Sequence, residues 1–282
     1  MRNFIVRTIT GVLFVAAVVC CFLRPEAMVF FFVLVTGLAI WEFTGLVNEL
    51  EGVQVNRMIC TVAGVYFFFS MAGYNSGLTP ATVFIPYLVS ILYLMVAELY
   101  LKAENPINNW AYTMLSQLYI ALPFSLINVL AFRSAGYDIQ YSYLAPLSVF
   151  VFLWMNDTGA YLCGSLLGRH KLFPRISPGK SWEGSIGGGI LVIAIAVLVR
   201  YLTEQYGVND LNLNAFEWAG LGLTIVIFGT WGDLIESLMK RTLGIKDSGT
   251  ILPGHGGILD RFDSSLMAIP AAVVYLYTLT LL

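Results

Sequence analysis

A dense group of charged residues lies between two apolar stretches near the carboxyl end of the sequence, from Trp231 to Ser265. It holds five of the chain's 17 acidic residues and four of its 15 basic residues. They are Asp233, Glu236, Asp247, Asp260 and Asp263, with Lys240, Arg241, Lys246 and Arg261. Charge at the edge of a bilayer is costly and usually functional. Carboxylates suit Mg²⁺, and Lys and Arg neutralise phosphate oxygens, so this stretch indicates phosphoryl or nucleotidyl transfer.

The first acids of this stretch fall on one face of a predicted helix. Asp233, Glu236, Ser237, Lys240 and Arg241 are spaced i, i+3, i+4, i+7 and i+8, which places them on one side of a helix. An ion pair between Glu236 and Lys240 would account for Glu236. It does not account for Asp233, which lies deeper and has no basic residue within one turn of the helix. We therefore predict a function for Asp233.

A glycine-rich turn follows this helix. Pro253-Gly254 favours a tight turn, and the next three residues are His255, Gly256 and Gly257. Two glycines in a row leave the backbone without side chains, so that the chain can approach another group closely. Bare amides near Lys246 and Arg261 are a candidate phosphate cradle. His255 is open between two interpretations, a surface loop residue and a catalyst.

Asp260 and Asp263 lie around the first turn of the last predicted helix, with Arg261 between them. A helix N-cap needs only one acid, so the second one favours a site over simple capping. Zinc chemistry is not indicated, because the chain has only two histidines and no Cys/His ligand spacing. The type of metal that these oxygen ligands favour is Mg²⁺.

A second polar segment lies upstream, at the end of one apolar stretch and in the basic loop 167–183. Asn156 and Asp157 interrupt the apolar stretch, and Asp157 is open between a third acid of the site and a structural hydrogen-bond acceptor. In the loop, Ser177-Pro178 and Ser181 are candidate helix starts on either side of Lys180. The basic residues of this loop have two alternative explanations: the excess of Lys and Arg that sets the orientation of a membrane protein, and a contact with anionic lipid. The glycines from 184 to 189 are interpreted as helix-packing residues.

The elements that must position these residues are transmembrane helices. The chain is 58% hydrophobic and only 11% charged, whereas soluble domains carry about 25% charged residues. With about 20 apolar residues needed for one span, we predict an all-α, polytopic membrane protein with a retained first span. The nine predicted spans are 4–23, 27–48, 57–76, 79–101, 109–133, 143–166, 184–203, 216–239 and 264–282.

No repeat or linker divides the sequence, so we expect one membrane domain over 1–282, with hydrophobic spans in 1–133 and the catalytic spans and loops in 143–282. Glu42 and Glu98 are single acids in apolar surroundings within the first part. We interpret both as acids hydrogen-bonded within the bundle or snorkelling at a helix end, with a catalytic role as the alternative.

The distribution of Lys and Arg predicts the orientation of the chain. With a cytoplasmic N-terminus, twelve of the 15 Lys and Arg residues lie on the cytoplasmic side of the nine spans. The loops 167–183 and 240–263 then face the cytoplasm together. We therefore expect a multi-pass protein of the inner (cytoplasmic) membrane whose site faces the cytoplasm.

The residues around the site resemble those of a known family, the phosphatidate cytidylyltransferases or CDP-diacylglycerol synthases. The resemblance spans 27 residues and rests on Ser237, Lys240-Arg241, Lys246-Asp247, Pro253, His255-Gly256-Gly257 and Asp260-Arg261-Phe262-Asp263. A second block is similar from Asp157 through Ser177-Pro178, Lys180 and Glu183-Gly184. It departs from the family pattern at Gly179, where the family often has Lys, and at Ser181, where it often has Thr.

The resemblance implies a reaction, in which CMP passes from CTP to phosphatidic acid to give CDP-diacylglycerol and pyrophosphate. It implies a homodimer in the lipid bilayer, Mg²⁺ held by Asp233 and Asp260, and a monovalent cation such as K⁺; we expect no nucleic-acid partner. The predicted catalytic residues are Asp233, Asp260, Lys240, Arg241, Lys246 and Arg261. The predicted substrate-binding residues are Ser177, Lys180, Ser237, Asp247, His255, Gly256, Gly257 and Asp263.

Two other functions fit part of the pattern. A CTP-dependent kinase of polyprenol or phytol type would transfer the γ-phosphoryl group instead of CMP. A secondary transporter would use intramembrane acids to couple ions, but transporters often show inverted repeats and broken helices that this sequence lacks. A CDP-alcohol phosphotransferase fits less well, because its dense Asp-rich motif is absent.

Overall fold

The structure is a computed structural model that describes residues 2–135, 138–208, 211–249 and 256–281. The long helices are α1 (Arg2–Cys21), α2 (Pro25–Val47), α3 (Arg57–Asn75) and α4 (Ile85–Leu101, after a 3₁₀ turn at Ala81–Phe84). A broken helix follows as α5 (Pro106–Leu115), a π-helical turn (Ser116–Ala121), α6 (Leu122–Ser125) and α7 (Ile127–Ala131), so the expectation that the chain lacks broken helices is wrong for this segment. The remaining helices are α8 (Leu144–Leu167), α9 (Trp182–Gln205), α10 (Ala215–Thr242) and α11 (Leu259–Leu281). Two antiparallel hairpins pair β1 (Phe132–Ala135) with β2 (Asp138–Tyr141), and β3 (Lys171–Phe173) with β4 (Ser177–Ser181).

The helices confirm an all-α, multi-pass membrane protein. Within the described residues, seven helical segments are long and apolar enough to cross a bilayer. They are Pro25–Val47, Arg57–Asn75, Ala81–Leu101, Pro106–Ala131, Trp182–Gln205, Ala215–Thr242 and Leu259–Thr280. The other two predicted spans are also helical: Ile9–Cys21 is a shorter apolar helix, and α8 carries the polar residues Asn156 and Asp157. The total of nine spans and the side of the N-terminus stay predictions.

The chain forms two compact units, which interleave along the sequence. The first contains Met1–Tyr141 and Thr242–Phe262. Its core is rich in aromatic side chains, and Phe262 from the start of α11 is part of it. The Phe262 ring lies 5.5 Å from the ring of Phe124 and 6.1 Å from that of Phe32, centroid to centroid. Burial of this side chain anchors the beginning of α11 in the first unit.

The second unit contains Ser142–Arg241 and Asp263–Leu282. Its helices α8 and α9 pack through small residues, as the glycine-rich sequence predicts. A Cβ atom added to Gly188 would lie 2.7 Å from the backbone oxygen of Asn156, and one added to Gly184 would lie 2.8 Å from that of Ala160. Since backbone atoms cannot move aside cheaply, only glycine allows this approach. The prediction of one membrane domain over 1–282 stays a prediction.

The basic loop 167–183 differs from the expectation at one of its two predicted helix starts. Ser181 is the N-cap of α9, with its hydroxyl accepting the Gly184 N–H at 3.2 Å. Ser177-Pro178 does not begin a helix and lies in strand β4, where Ser177 pairs with Phe173. A two-stranded hairpin has only edge strands, which tolerate a proline because one side needs no N–H donor. Lys180 thus lies in strand β4, directly before the N-cap of α9.

Candidate active site

The carboxylate of Asp233 on α10 binds the ammonium of Lys180 from β4. Lys180 Nζ lies 2.5 Å from Asp233 Oδ2, and both side chains are about one quarter exposed, at 26% and 28%. On the other carboxylate oxygen, the Ser237 hydroxyl donates to Asp233 Oδ1 at 3.1 Å. Three predicted site residues therefore meet, and Asp233 and Ser237 lie on one helical face, as their spacing i, i+4 predicts. The sequence predicted each residue but not the pair with Lys180, because the two lie far apart along the chain.

A second acid lies near this pair. Asp263, at the start of α11, is within electrostatic range of Asp233, Asp157 and Lys240. Carboxylates that lie close together repel one another unless cations are present. The arrangement therefore favours a cation at this position. It also favours the interpretation of Asp157 as a third acid of the site.

The close approach of α10 to α11 in the second unit depends on Gly232, the residue before Asp233. A Cβ atom at Gly232 would lie 2.8 Å from the backbone oxygen of Asp263 and 3.1 Å from the Cα of Ser264. This approach brings the two acid-bearing helix segments together. No sequence motif identified Gly232, and its only local signal is a glycine next to an intramembrane acid.

We expect Gly232→Ala to lower the free energy of unfolding by about 1–3 kcal/mol, the range for overpacking a filled core. The matched control is Gly189→Ala on α9, where the nearest atom to an added Cβ is the Val226 Cγ1 at 3.7 Å. An alanine there should be neutral or stabilising, because it gains helix propensity without a clash. Thermal unfolding in detergent measures both variants. Equal midpoints for the two would contradict the role given to Gly232.

Lys240 makes the ion pair that the sequence predicted within α10. Its Nζ lies 2.5 Å from Glu236 Oε2, and the two side chains are only 14% and 4% exposed. The ammonium of Lys240 thus pairs with a buried carboxylate. Removal of either partner would lower the stability of the fold strongly, because the other charge would stay buried without compensation. The predicted catalytic role of Lys240 stays a prediction.

A cavity of about 190 Å³ lies in the second unit, beside the Lys180–Asp233 pair. Its wall is formed by parts of α8, β4, α9 and α10. The polar residues of the wall are Asn156, Asp157, Tyr161, Lys180, Ser181, Ser185 and Thr230. Ligand pockets usually have volumes of about 300–1,000 Å³, so this cavity is small. It has room for a phosphate group with its cation.

The first unit holds the other predicted acid, Asp260, in a hydrogen-bonded loop. Asp260 Oδ2 accepts the backbone N–H groups of Ser248 and Gly257, each at 2.8 Å. Gly256 has a φ of 82°, a conformation that favours glycine. The close approach predicted for the glycine pair is therefore made to a carboxylate, and the Gly257 amide is used within the loop. The predicted contact of these amides with phosphate stays a prediction.

The remaining predicted residues of this loop are exposed cations and one acid. Lys246, Asp247 and Arg261 in the first unit and Arg241 in the second are exposed. Lys246 and Arg261 are thus accessible from solvent. His255 lies outside the described residues, as does Pro253.

Mg²⁺ was implied by the resemblance, and its fit depends on the oxygen donors. Among the residues that the structure describes, no group of three or more His, Cys, Asp and Glu side chains could hold a metal ion. Mg²⁺ does not require such a group, because it keeps several waters and binds one or two carboxylates together with substrate phosphates. Asp233 fits that need, since its carboxylate already binds a cation and is 28% exposed. The predicted sharing of one ion by Asp233 and Asp260 stays a prediction.

Comparison with known proteins gives relatives for nearly the whole chain. Residues 5–279 match the model of the cytidylyltransferase family. A protein of Haemophilus influenzae named phosphatidate cytidylyltransferase is 33% identical over 280 residues, which cover 94% of this chain and 95% of that relative. Proteins with the same name from Staphylococcus aureus and Staphylococcus haemolyticus are 40% and 41% identical over 160 and 169 residues. Those alignments cover 57% of this chain and 56% and 62% of the relatives. With nearly its whole length matched by the family model, this chain belongs to the cytidylyltransferase family.

Proposed function

We propose that this membrane nucleotidyltransferase transfers CMP from CTP to phosphatidic acid and forms CDP-diacylglycerol and pyrophosphate for phospholipid biosynthesis. The observation that carries the proposal is the Lys180–Asp233 pair beside a small polar cavity in a membrane protein. A carboxylate and an ammonium next to a phosphate-sized cavity are suited to a phosphate-containing substrate. The names of the similar proteins support phosphatidate as the acceptor.

The proposed step is an attack of the phosphatidate phosphate on the α-phosphorus of CTP. An oxygen of the lipid phosphate forms the new bond to the α-phosphorus. The bond from the α-phosphorus to the oxygen that bridges it to the β-phosphorus breaks. The electron pair leaves with pyrophosphate. Phosphate monoesters have a second pKa near 6, so the attacking group is mostly ionised at neutral pH. The protein therefore needs no strong general base.

The residues of this chain orient the phosphates and neutralise charge. Lys180 can exchange the carboxylate of Asp233 for a phosphate oxygen without leaving the cavity wall. Asp233 would hold Mg²⁺, which when bound neutralises phosphate oxygens and stabilises the charge of the transition state. The exposed cations Arg241, Lys246 and Arg261 are proposed to contact the triphosphate and the leaving pyrophosphate. Fixed charges of this kind supply most of the catalysis of phosphoryl-type transfers.

We further propose that the protein lies in the inner membrane as a homodimer with its site at the cytoplasmic surface. The support for the orientation is the excess of Lys and Arg in the loops assigned to the cytoplasm, and the homodimer is what the family resemblance implies. Phosphatidate would enter from the inner leaflet with its acyl chains left in lipid. Crosslinking of the protein in membranes tests the dimer, and labelling of single cysteines from either side tests the orientation.

The proposed function is tested with protein purified in detergent, CTP labelled at the α-phosphate, and phosphatidate. We expect the label to appear in a lipid that co-migrates with CDP-diacylglycerol, at a rate proportional to the amount of enzyme. Diacylglycerol in place of phosphatidate should give no labelled lipid, because it lacks the attacking phosphate. The proposal fails if phosphatidate gives no labelled lipid under conditions in which the protein is folded.

Removal of divalent metal provides a separate prediction. EDTA in excess over Mg²⁺ should reduce product formation by about 10²-fold or more, the loss typical for removal of a group that stabilises transition-state charge. Added Mg²⁺ should restore the rate, whereas added Na⁺ at equal ionic strength should not. An unchanged rate in EDTA would contradict the use of Mg²⁺ but leave the reaction itself in place.

A further inference from the structure

Helix α2 of the first unit carries a buried carboxylate far from the predicted site residues in sequence. Glu42 is only 7% exposed. Its Oε1 accepts the Ser248 hydroxyl and, at 3.2 Å, the Leu259 N–H; its Oε2 accepts the Ile258 N–H at 2.9 Å. Burial of a charge is unfavourable unless hydrogen bonds compensate for it. Three donors directed at one carboxylate fix its position.

The donors all belong to the segment that precedes and begins α11. Ile258 and Leu259 contribute backbone N–H groups at the start of that helix, where the helix dipole favours a negative charge. Glu42 therefore occupies the anion-binding position of α11 from within the chain. A substrate phosphate would have to displace a buried carboxylate to bind there.

The same segment is shaped around Glu42 by two glycines. A Cβ atom at Gly249 would lie 2.7 Å from Glu42 Oε2, and one at Gly257 would overlap the Glu42 carboxyl group. The loop thus needs glycine on both of its arms for the carboxylate to enter. This is a structural requirement for the second glycine of the pair that the sequence interpreted as a phosphate cradle.

Glu42 is connected to Asp260 through one residue. Ser248 donates its hydroxyl to Glu42 and its backbone N–H to Asp260 Oδ2, the latter at 2.8 Å. Gly257 donates its N–H to the same oxygen of Asp260 and packs against Glu42. Ser248 is itself only 3% exposed, so it has little freedom to rearrange. The carboxylate of Asp260 is thus held by two residues that both contact Glu42.

We propose that Glu42 is a positioning residue for the nucleotidyl transfer: it anchors the loop after α10 and the start of α11, and through Ser248 it fixes the carboxylate of Asp260. The proposal rests on the proposed function, because Asp260 is a predicted residue of that reaction. It assigns a role to the N-terminal half of the chain, which contributed no residue to the predicted site. Glu42 itself does not contact substrate.

The principal test is Glu42→Gln. Glutamine keeps the size of the side chain but replaces one acceptor oxygen by an NH₂ group, which would face an N–H or O–H donor. We expect kcat per folded molecule to fall by about 30-fold, within the range for loss of a partner that orients a ligand. We also expect faster hydrogen exchange in the peptide that contains Ile258 and Leu259, because their amides lose an acceptor.

The matched control is Glu98→Gln, since Glu98 is also an acid within an apolar helix of the first unit. Asn109 Nδ2 donates to Glu98 Oε2 at 3.0 Å, and a glutamine oxygen can accept the same bond. This variant should retain the wild-type kcat and the wild-type exchange of the α11 peptide.

Ser248→Ala is the second variant, for the case that Glu42→Gln does not fold. It removes the hydroxyl bond alone, and we expect it to lower kcat in the same direction by a smaller factor.

The outcomes separate a positioning role from a structural one. If Glu42 only stabilises the fold, its substitution lowers the midpoint of thermal unfolding but leaves kcat per folded molecule unchanged, and the proposal is overturned. Unchanged exchange at Ile258 and Leu259 in Glu42→Gln overturns it as well. A wild-type protein that makes no CDP-lipid refutes the proposed function, and faster exchange in Glu42→Gln then still identifies the anchor. If the wild type is active and Glu42→Gln has wild-type kcat and wild-type exchange, the anchoring role of Glu42 is refuted and the proposed function stands.

Discussion

Replacing Asp233 by Asn is expected to lower kcat for CDP-lipid formation by about 10³-fold, with the fold retained. Asparagine keeps the size of the side chain and an oxygen that can accept the Ser237 hydroxyl. It removes the negative charge that binds Lys180 at 2.5 Å and that would bind Mg²⁺. Losses of about 10²–10³-fold follow removal of one group that stabilises the transition state, and a metal ligand belongs at the upper end.

The control for this prediction is Glu217→Gln, an acid at the other end of the same helix. Glu217 Oε2 accepts the N–H of Asn214 at 2.7 Å, and glutamine can accept that bond too. Since this residue lies at the start of α10 and not near the cavity, kcat should change by less than about twofold, as for ordinary surface substitutions. Assays of purified, folded Asp233→Asn and Glu217→Gln with saturating CTP compare the two directly. Near-normal turnover by Asp233→Asn would refute the assignment of Asp233.

The second large effect concerns Asp260, where two substitutions separate charge from shape. Both backbone N–H groups that Asp260 accepts go to a single oxygen, Oδ2. The amide oxygen of Asn can accept the same two bonds, so Asp260→Asn should keep the loop while it loses the charge. Asp260→Ala removes both the charge and the oxygen that accepts the two loop hydrogen bonds. If the carboxylate is needed for the metal, each variant should lower kcat by about 10²-fold or more.

Hydrogen exchange of the loop amides distinguishes the two variants. The N–H of Ser248 should stay protected in Asp260→Asn and should exchange faster in Asp260→Ala. An Asp260→Asn variant with wild-type turnover and wild-type exchange would show that Asp260 only supports the loop. In that case the predicted role of Asp260 as a metal ligand is wrong, and Asp233 is left as the candidate.

The parts of the fold and site that the sequence predicted are those with local signals. Apolar stretches of about 20 residues identify helices because one bilayer crossing requires that length. The contact between Asp233 and Ser237 and the ion pair between Glu236 and Lys240 follow from the spacing i, i+4 on one helix. Ser181 as an N-cap follows from the chemistry of its hydroxyl. Each of these needs only a few neighbouring residues.

The parts that the sequence did not predict depend on pairs distant along the chain. No local pattern relates Lys180 to Asp233 or Glu42 to the start of α11, since these contacts form only when separate elements of the fold pack together. The strand at Ser177-Pro178 likewise depends on its pairing with β3, where Lys171 lies opposite Ser181. Glu42 did carry one signal, an acid within an apolar helix, but its partners could not be read from that signal.

The most direct test of the central claim follows the two ends of the triphosphate of CTP. Purified protein with Mg²⁺ and phosphatidate is given CTP labelled at the α-phosphate in one reaction and at the γ-phosphate in a parallel one. CMP transfer predicts that the α label enters the lipid and that the γ label is released as pyrophosphate, in equal amounts. Incorporation of the γ label into lipid, with release of CDP, would contradict the account and identify a CTP-dependent lipid kinase.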